Sequence, residues 1–152
     1  MEEILNDRVV RTEVECQSWR DCVKACGDLL VAEGKIEPSF IDSMIQTVEE
    51  LGPYMILIPK VAFFHGRPSE AVHKACLSLI TLKDSVRFEE FEGQEISCAF
   101  GFGAVDADSH VNMLVKVAKL LQDEDFVRLI TQHGTKEAIM EKINQYQEGC
   151  ME

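Results

Sequence analysis

GPYMILIPKVAFFHGRP, residues 52–68, decides how this chain reads. Gly52 and Pro53 stop the helix before them, two short apolar runs follow with Pro59 between, and the second run ends in His65, Gly66 and Arg67. Apolar runs of about four to eight residues bounded by turn residues predict buried strands, here over residues 54–58 and 61–64. One imidazole and one guanidinium therefore arrive at a strand end. A neutral imidazole can act as a nucleophile near neutral pH, and a guanidinium offers a planar fork to phosphate oxygens. The pairing points to phosphoryl chemistry on His65. A histidine after a strand is more often a polar cap than a catalyst, so a second observation is needed.

His110 supplies it. In GAVDADSHVNMLVKVAKLL it follows an apolar strand over residues 96–102 and opens a helix. Open α/β sheets collect their sites at strand ends and helix N-termini, and a helix N-terminus favours an anion. Arg67 and the first-turn amides around Ser109 are the candidates for neutralising phosphate oxygens. Gly66 leaves room for phosphate, and Gly101 and Gly103 are read either as close-approach positions or as strand-end bends.

Working outward, the rest of the chain alternates strand and helix. A strand is predicted over residues 9–14; Ser18 caps a helix with Trp19, Cys22, Val23, Cys26 and Leu30 at helical spacing and Gly34 beyond its end. Pro38 opens a second helix with Phe40, Ile41, Met44, Ile45 and Val48 on its apolar face. Residues 75–82 read as a buried strand and residues 86–88 as a strand returning after a turn. Helices follow over 109–121, 124–130 and 136–146, the last with Thr135 as N-cap. The expected product is an α/β fold, a three-layer α/β/α sandwich with a mixed, mostly five-stranded sheet, in one domain spanning residues 1–152.

Composition narrows the function classes. With 152 residues and 46% hydrophobic content the chain can bury a real core, and four prolines mark no linker. Met1, Glu2 and Glu3 lack the basic start of a signal peptide, and the apolar run over residues 55–58 is too short to cross a bilayer, so a cytoplasmic protein is expected. A net charge of -12, with no block among the 15 basic residues, excludes a nucleic-acid binder and favours basic protein partners. Glu89, Glu90 and Glu92 form the densest acidic cluster, read as a solvated turn with partner docking the minority reading. The six cysteines contain no Cys-x-x-Cys and the histidines are not spaced as zinc ligands, so no metal and no cofactor is expected and the thiols read as structural. His73, in a solvated helical turn, and His133, capping carbonyls at a helix end, serve as controls.

The motifs resemble those of the enzyme IIA domains of the mannitol/fructose superfamily of the bacterial phosphoenolpyruvate:sugar phosphotransferase system, with the ascorbate-type branch nearest. The resemblance rests on the residue 52–68 stretch, on LSLITLKDSVRF at residues 77–88, and on the later acidic turn with His110 and its apolar helix. It covers most of the chain. It implies that His65 accepts the phosphoryl group from the histidine-containing phosphocarrier protein and that His110 supports it. Phosphate then passes to a cysteine of a cognate enzyme IIB, which serves the membrane permease enzyme IIC. A regulatory phosphoprotein controlling a transporter or transcription factor is the alternative the same residues allow. The chain departs from the family at the segment Phe88-Glu89-Glu90-Phe91-Glu92, at Val48 and Glu49 where other branches carry an arginine, and at Lys60 and Phe64. With one acceptor and two partners, both partners are expected to share a docking patch, placed around Phe63, Phe64, Lys60 and the His110 loop.

Overall fold

The computed structural model describes residues 5–88 and 94–149, so the Glu89, Glu90 and Glu92 cluster and Cys150 lie outside the described residues. Five strands form one mixed sheet: β1 (Val10–Val14), β2 (Ile56–Ile58), β3 (Lys60–His65), β4 (Cys76–Phe88) and β5 (Gln94–Gly103), in the order β1-β4-β5-β3-β2. β1 runs parallel to β4 and β3 parallel to β5, while the β4–β5 and β2–β3 pairs are antiparallel. The helices are α1 (Trp19–Ala32), α2 (Ser39–Leu51), α3 (Ala107–Leu121), α4 (Glu124–Thr131) and α5 (Lys136–Gly149). Among the described residues no helix is long and apolar enough to cross a membrane.

Helix boundaries follow capping chemistry. The Ser18 hydroxyl accepts from the Asp21 amide and opens α1, while Gly34, at φ 71, lets Gly34 N–H reach Val31 O and Lys35 N–H reach Leu30 O at its other end. Thr135 caps α5 by accepting from the Ala138 amide at 3.2 Å. Gly52, at φ 61, closes α2.

Two corrections concern the strands. Residues 52–55 form a 3₁₀ turn rather than the start of a strand, so β2 is only three residues long. Residues 86–88 do not return after a turn: they continue β4, a single strand of 13 residues whose register against β5 shifts between Thr81 and Val86. Lys83, Asp84 and Ser85 have turn-like composition, but they are the exposed residues of a strand irregularity, which absorbs the extra length without breaking the pairing.

The pairing sorts side chains into two faces. Leu77, Phe102 and His65 lie in one cross-strand row and Ser78, Gly101 and Phe64 in the next, so alternate rows point to opposite sides. The second row meets α1: the Ser78 hydroxyl donates to Cys26 O at 2.9 Å, and a Cβ on Gly101 would sit 2.5 Å from the Cys26 Cβ. Gly101 is thus set by helix-on-sheet contact, and Gly103, whose Cβ would meet Val72 and Phe40, likewise. Neither glycine's open side belongs to the histidines. Gly101→Ala is expected to push α1 off the sheet and cost about 1–3 kcal/mol, the usual penalty for overpacking; a denaturant midpoint unchanged from wild type would contradict this packing.

Candidate functional site

His65 is the last residue of β3, half-buried, with its ring above the face that carries Phe63 and Phe102. Those two phenyl rings stack at 4.7 Å between centroids, and both are buried. The His65 ring rests against them at 5.7 Å from Phe63 and 5.3 Å from Phe102. His110 comes from the first turn of α3, where its amide donates to Asp106 O at 3.1 Å. Its ring stands 4.9 Å from Phe102 and 5.3 Å from His65, edge to face at 80°. Three elements, β3, β5 and α3, therefore converge to hold two imidazoles on one aromatic floor. Phe102 is the site residue that the sequence reading missed. Its pairing with His65 depends on strand register, which the sequence does not state.

Hydrogen bonding selects one nitrogen of His65. Its Nδ1 lies 3.3 Å from Phe63 O, a carbonyl that only accepts, so Nδ1 carries the proton and donates. The neutral ring then keeps its lone pair on Nε2. Burial holds the His65 pKa below the ordinary histidine value; the Phe63 carbonyl partly offsets this and the His110 ring adds to it. Burial also lowers His110, whose Nδ1 is buried without a hydrogen-bond partner. An orphaned buried polar atom costs about 1–3 kcal/mol.

Both folded-state pKa values thus lie below the unfolded value near 6.5. Between that value and the lower folded values the unfolded chain binds more protons, so these histidines contribute stability above pH 6.5 that is lost as pH falls through the window. An NMR titration is expected to show both imidazoles titrating at lower pH than a free histidine; a midpoint above 6.5 for His65 would contradict its burial.

The other candidates are placed as follows. Arg67 is highly exposed and its Nη2 lies 3.7 Å from Glu50 Oε2 at the end of α2, a loose ion pair worth about 0–1 kcal/mol. A Cβ on Gly66 would meet the Ser43 hydroxyl at 2.9 Å and the Phe40 ring at 3.1 Å, so the missing side chain faces α2. Ser109 is engaged in the capping box of α3: its amide donates to Asp106 Oδ1 at 2.8 Å, and its hydroxyl hydrogen-bonds the same aspartate. The Asp106 carboxylate already occupies the anion position at that helix start. Asp106, the second residue the sequence reading passed over, had a signal in the Asp-x-x-Ser spacing.

The expected docking residues need correction. Phe63 and Phe64 are 1% and 0% exposed, because both faces of β3 are buried, Phe63 against the rings of Phe100 and Phe102. Lys60 begins β3 and His65 ends it, about 16 Å apart at the usual rise per residue. The exposed apolar side chains near the site are Val105, Val111 and Val115, at 44%, 56% and 49%. His73 follows an isolated bridge between Ile36 and Val72 rather than lying in a helical turn, and its Nε2 pairs with Glu37 at 2.6 Å. The His133 ring caps no carbonyl; its Nδ1 pairs with Glu13 at 3.1 Å. Among the described residues no group of three or more His, Cys, Asp or Glu side chains is arranged to hold a metal ion.

Known proteins are similar to this chain in sequence and in fold. The ascorbate-specific PTS system EIIA component of Escherichia coli strain K12 is 30% identical over 142 residues, covering 93% of this chain and 92% of that protein. The solution structure of the mannitol-specific cryptic phosphotransferase enzyme IIA from Escherichia coli has the same fold, with a TM-score of 0.83 at 23% identity over 93% of this chain and 96% of that one. So does the complex of enzyme IIAMTL and phosphorylated enzyme IIBMTL from Escherichia coli, with a TM-score of 0.79 at 19% identity over 93% of this chain and 97% of that one. Residues 3–146 match the family model described as phosphoenolpyruvate-dependent sugar phosphotransferase system, EIIA 2, and the chain belongs to that family as a phosphotransferase component.

Proposed function

We propose that the protein is a cytoplasmic phosphoryl carrier, one EIIA domain over residues 1–152, that accepts phosphate on His65 Nε2 from the histidine-containing phosphocarrier protein. It passes the group to a cysteine of a cognate enzyme IIB serving an ascorbate permease. The observation that carries this reading is the His65–His110 pair, 5.3 Å apart, with His65 Nδ1 committed to Phe63 O. The Nε2 lone pair attacks phosphorus as the phosphorus–nitrogen bond of the donor phosphohistidine breaks, and the electron pair returns to the donor ring. In the second step a thiolate of enzyme IIB attacks phosphorus and Nε2 leaves with its electrons. Such transfer needs in-line geometry and neutralised oxygens. His110, whose ring stands 5.3 Å from that of His65, is suited to contact a phosphoryl oxygen. Arg67 needs only to leave a weak surface pair with Glu50 to reach a dianion at the same rim. Gly66 and Ser109 act less directly in this reading, Gly66 through packing on α2 and Ser109 through the cap that orients α3.

The ascorbate assignment is supported by the names of the curated relatives, among them one from Salmonella typhimurium at 35% identity over 122 residues. A complex between an enzyme IIA and its phosphorylated enzyme IIB among the structural neighbours supports the partner. Val105, Val111 and Val115 border the His110 loop and replace the buried phenylalanines as the shared docking patch. Val111→Asp is expected to slow transfer from the phosphocarrier and to enzyme IIB at least about ten-fold each, a change of about 1.4 kcal/mol in the barrier, with the fold intact. NMR titrations with each partner check it: shifts on two separate faces, or a ternary complex, would point instead to a regulator with its own effector surface.

A further inference from the structure

A small cavity of about 80 Å³ lies beside the start of β4, on the side away from the histidines. Leu77 lines it and shares a cross-strand row with Phe102 and His65, so the cavity is at least two strand spacings, about 10 Å, from the backbone of His65. Three segments wall it. The turn before β1 brings Arg8, the end of α1 brings Glu33 and Lys35, and the entry to β4 brings Lys74 and Cys76. Three cations against one carboxylate leave two positive charges around this cavity, in a chain whose net charge is -12.

Backbone hydrogen bonds hold the charges in place. Lys35 O accepts from the His73 amide at 2.8 Å beside the Ile36–Val72 bridge, which sets Lys35 next to the segment that carries Lys74. Arg8 N–H donates to Asn6 Oδ1 at 2.9 Å and Val9 N–H to Asn6 O at 3.1 Å, so Arg8 leaves a fixed turn, and its Nε donates to Glu33 Oε1 at 2.7 Å. The helix end does not account for the cluster. The Leu30 and Val31 carbonyls there already accept from the Lys35 and Gly34 amides, so no side-chain cation is needed to satisfy them. Like charges brought together repel, and among the described residues Lys35 has no carboxylate within ion-pair distance. Burial pushes the Cys76 thiol in the cavity wall up to about 11, and the Lys35 charge opposes that rise.

We propose that the cavity walled by Arg8, Lys35 and Lys74 is a binding site for a phosphate dianion, taken as the free ion or as the head of a small phosphomonoester. Charge selects the class: the two uncompensated positive charges match a dianion, a guanidinium supplies directed donors to phosphate oxygens, and the ammonium groups supply charge. Glu33 orients the guanidinium by holding its Nε. Size sets the limit. One water needs about 10–15 Å³ of such space, so the cavity takes a phosphorus with its oxygens and leaves the rest of any ester at the mouth. The site is separate from the His65–His110 pair and does not depend on phosphate being carried there.

Isotope-labelled full-length protein is titrated by NMR with inorganic phosphate and, separately, with glycerol phosphate. The titrations run at about pH 8, where both are doubly charged, with ionic strength held constant by chloride. The amides of Val9, Lys35, Cys76 and Leu77 are expected to shift together and to saturate, in His65→Ala as in wild type. Tighter binding of inorganic phosphate assigns the free ion, and tighter binding of glycerol phosphate assigns the ester. Lys35→Met keeps the apolar stem and removes the charge, so it should weaken binding about ten-fold or more, the scale of one charge-assisted contact. Lys35→Arg should retain most of the affinity. If Lys35→Met fails to fold, Lys74→Met, at an exposed position, makes the same test. Shifts that never saturate, shifts confined to the surroundings of His65 and His110, or affinity unchanged in both methionine variants would each overturn the proposal.

Discussion

His65→Ala is expected to fold, to stay within about 1–2 kcal/mol of wild-type stability, and to accept no phosphoryl group at all. Stability survives because the ring is half-buried at a strand end and makes one side-chain hydrogen bond, at 3.3 Å to a neighbouring carbonyl, so its loss is an ordinary partly exposed truncation. Chemistry does not survive, because no other imidazole has both a committed nitrogen and a free lone pair on this floor. His110 is the nearest substitute, yet its Nδ1 is buried. Thermal melting and intact mass after incubation with the phosphocarrier relay check the two halves together. Phosphate on the alanine variant would remove His65 from the account.

His110→Ala is expected to separate function from stability in the opposite sense. Transfer onward to enzyme IIB should slow by roughly ten- to a thousand-fold, the usual scale for a lost transition-state contact. Phosphorylation itself should persist. Stability should hold or rise slightly, since the substitution removes a buried ring nitrogen that has no partner in the unphosphorylated protein. That combination distinguishes a group held ready for the phosphoryl oxygens from a group that merely fills space on Phe102. Rapid-quench transfer rates set beside a denaturant curve measure both. Unchanged transfer would return His110 to an ordinary helix residue.

Much of this architecture was legible because it rests on local chemistry. Ser18, Gly34, Gly52 and Thr135 mark helix ends through short-range hydrogen bonds and positive φ, which a sequence displays directly. His65 was legible for a related reason: an apolar run that stops at a histidine places it at a strand end. What failed depended on contacts far apart in the chain. The turn-like Lys83, Asp84 and Ser85 were read as a reversal, but β5 pairs on both sides of them and keeps the strand whole. Phe63 and Phe64 looked like a docking surface until both faces of β3 proved covered. Gly66 was read as room for phosphate and Gly101 as either a close approach or a strand-end bend, whereas their open sides meet α2 and α1. Arg67 reaches Glu50 through a long side chain whose rotamer no sequence pattern encodes. Val111 and Val115 were missed because isolated valines on an amphipathic helix read as core, and Val105 because it lies in the short bend before α3.

The central claim is that one nitrogen of one histidine carries the phosphoryl group. Wild-type protein incubated with phosphoenolpyruvate, enzyme I and the phosphocarrier protein, then examined by intact mass and by phosphorus–proton correlation NMR, tests it most directly. The expected result is a single acid-labile, base-stable phosphoryl group on His65 Nε2, with Nδ1–H still donating to Phe63 O. Phosphate on Nδ1, on another residue, or nowhere in the chain would contradict it.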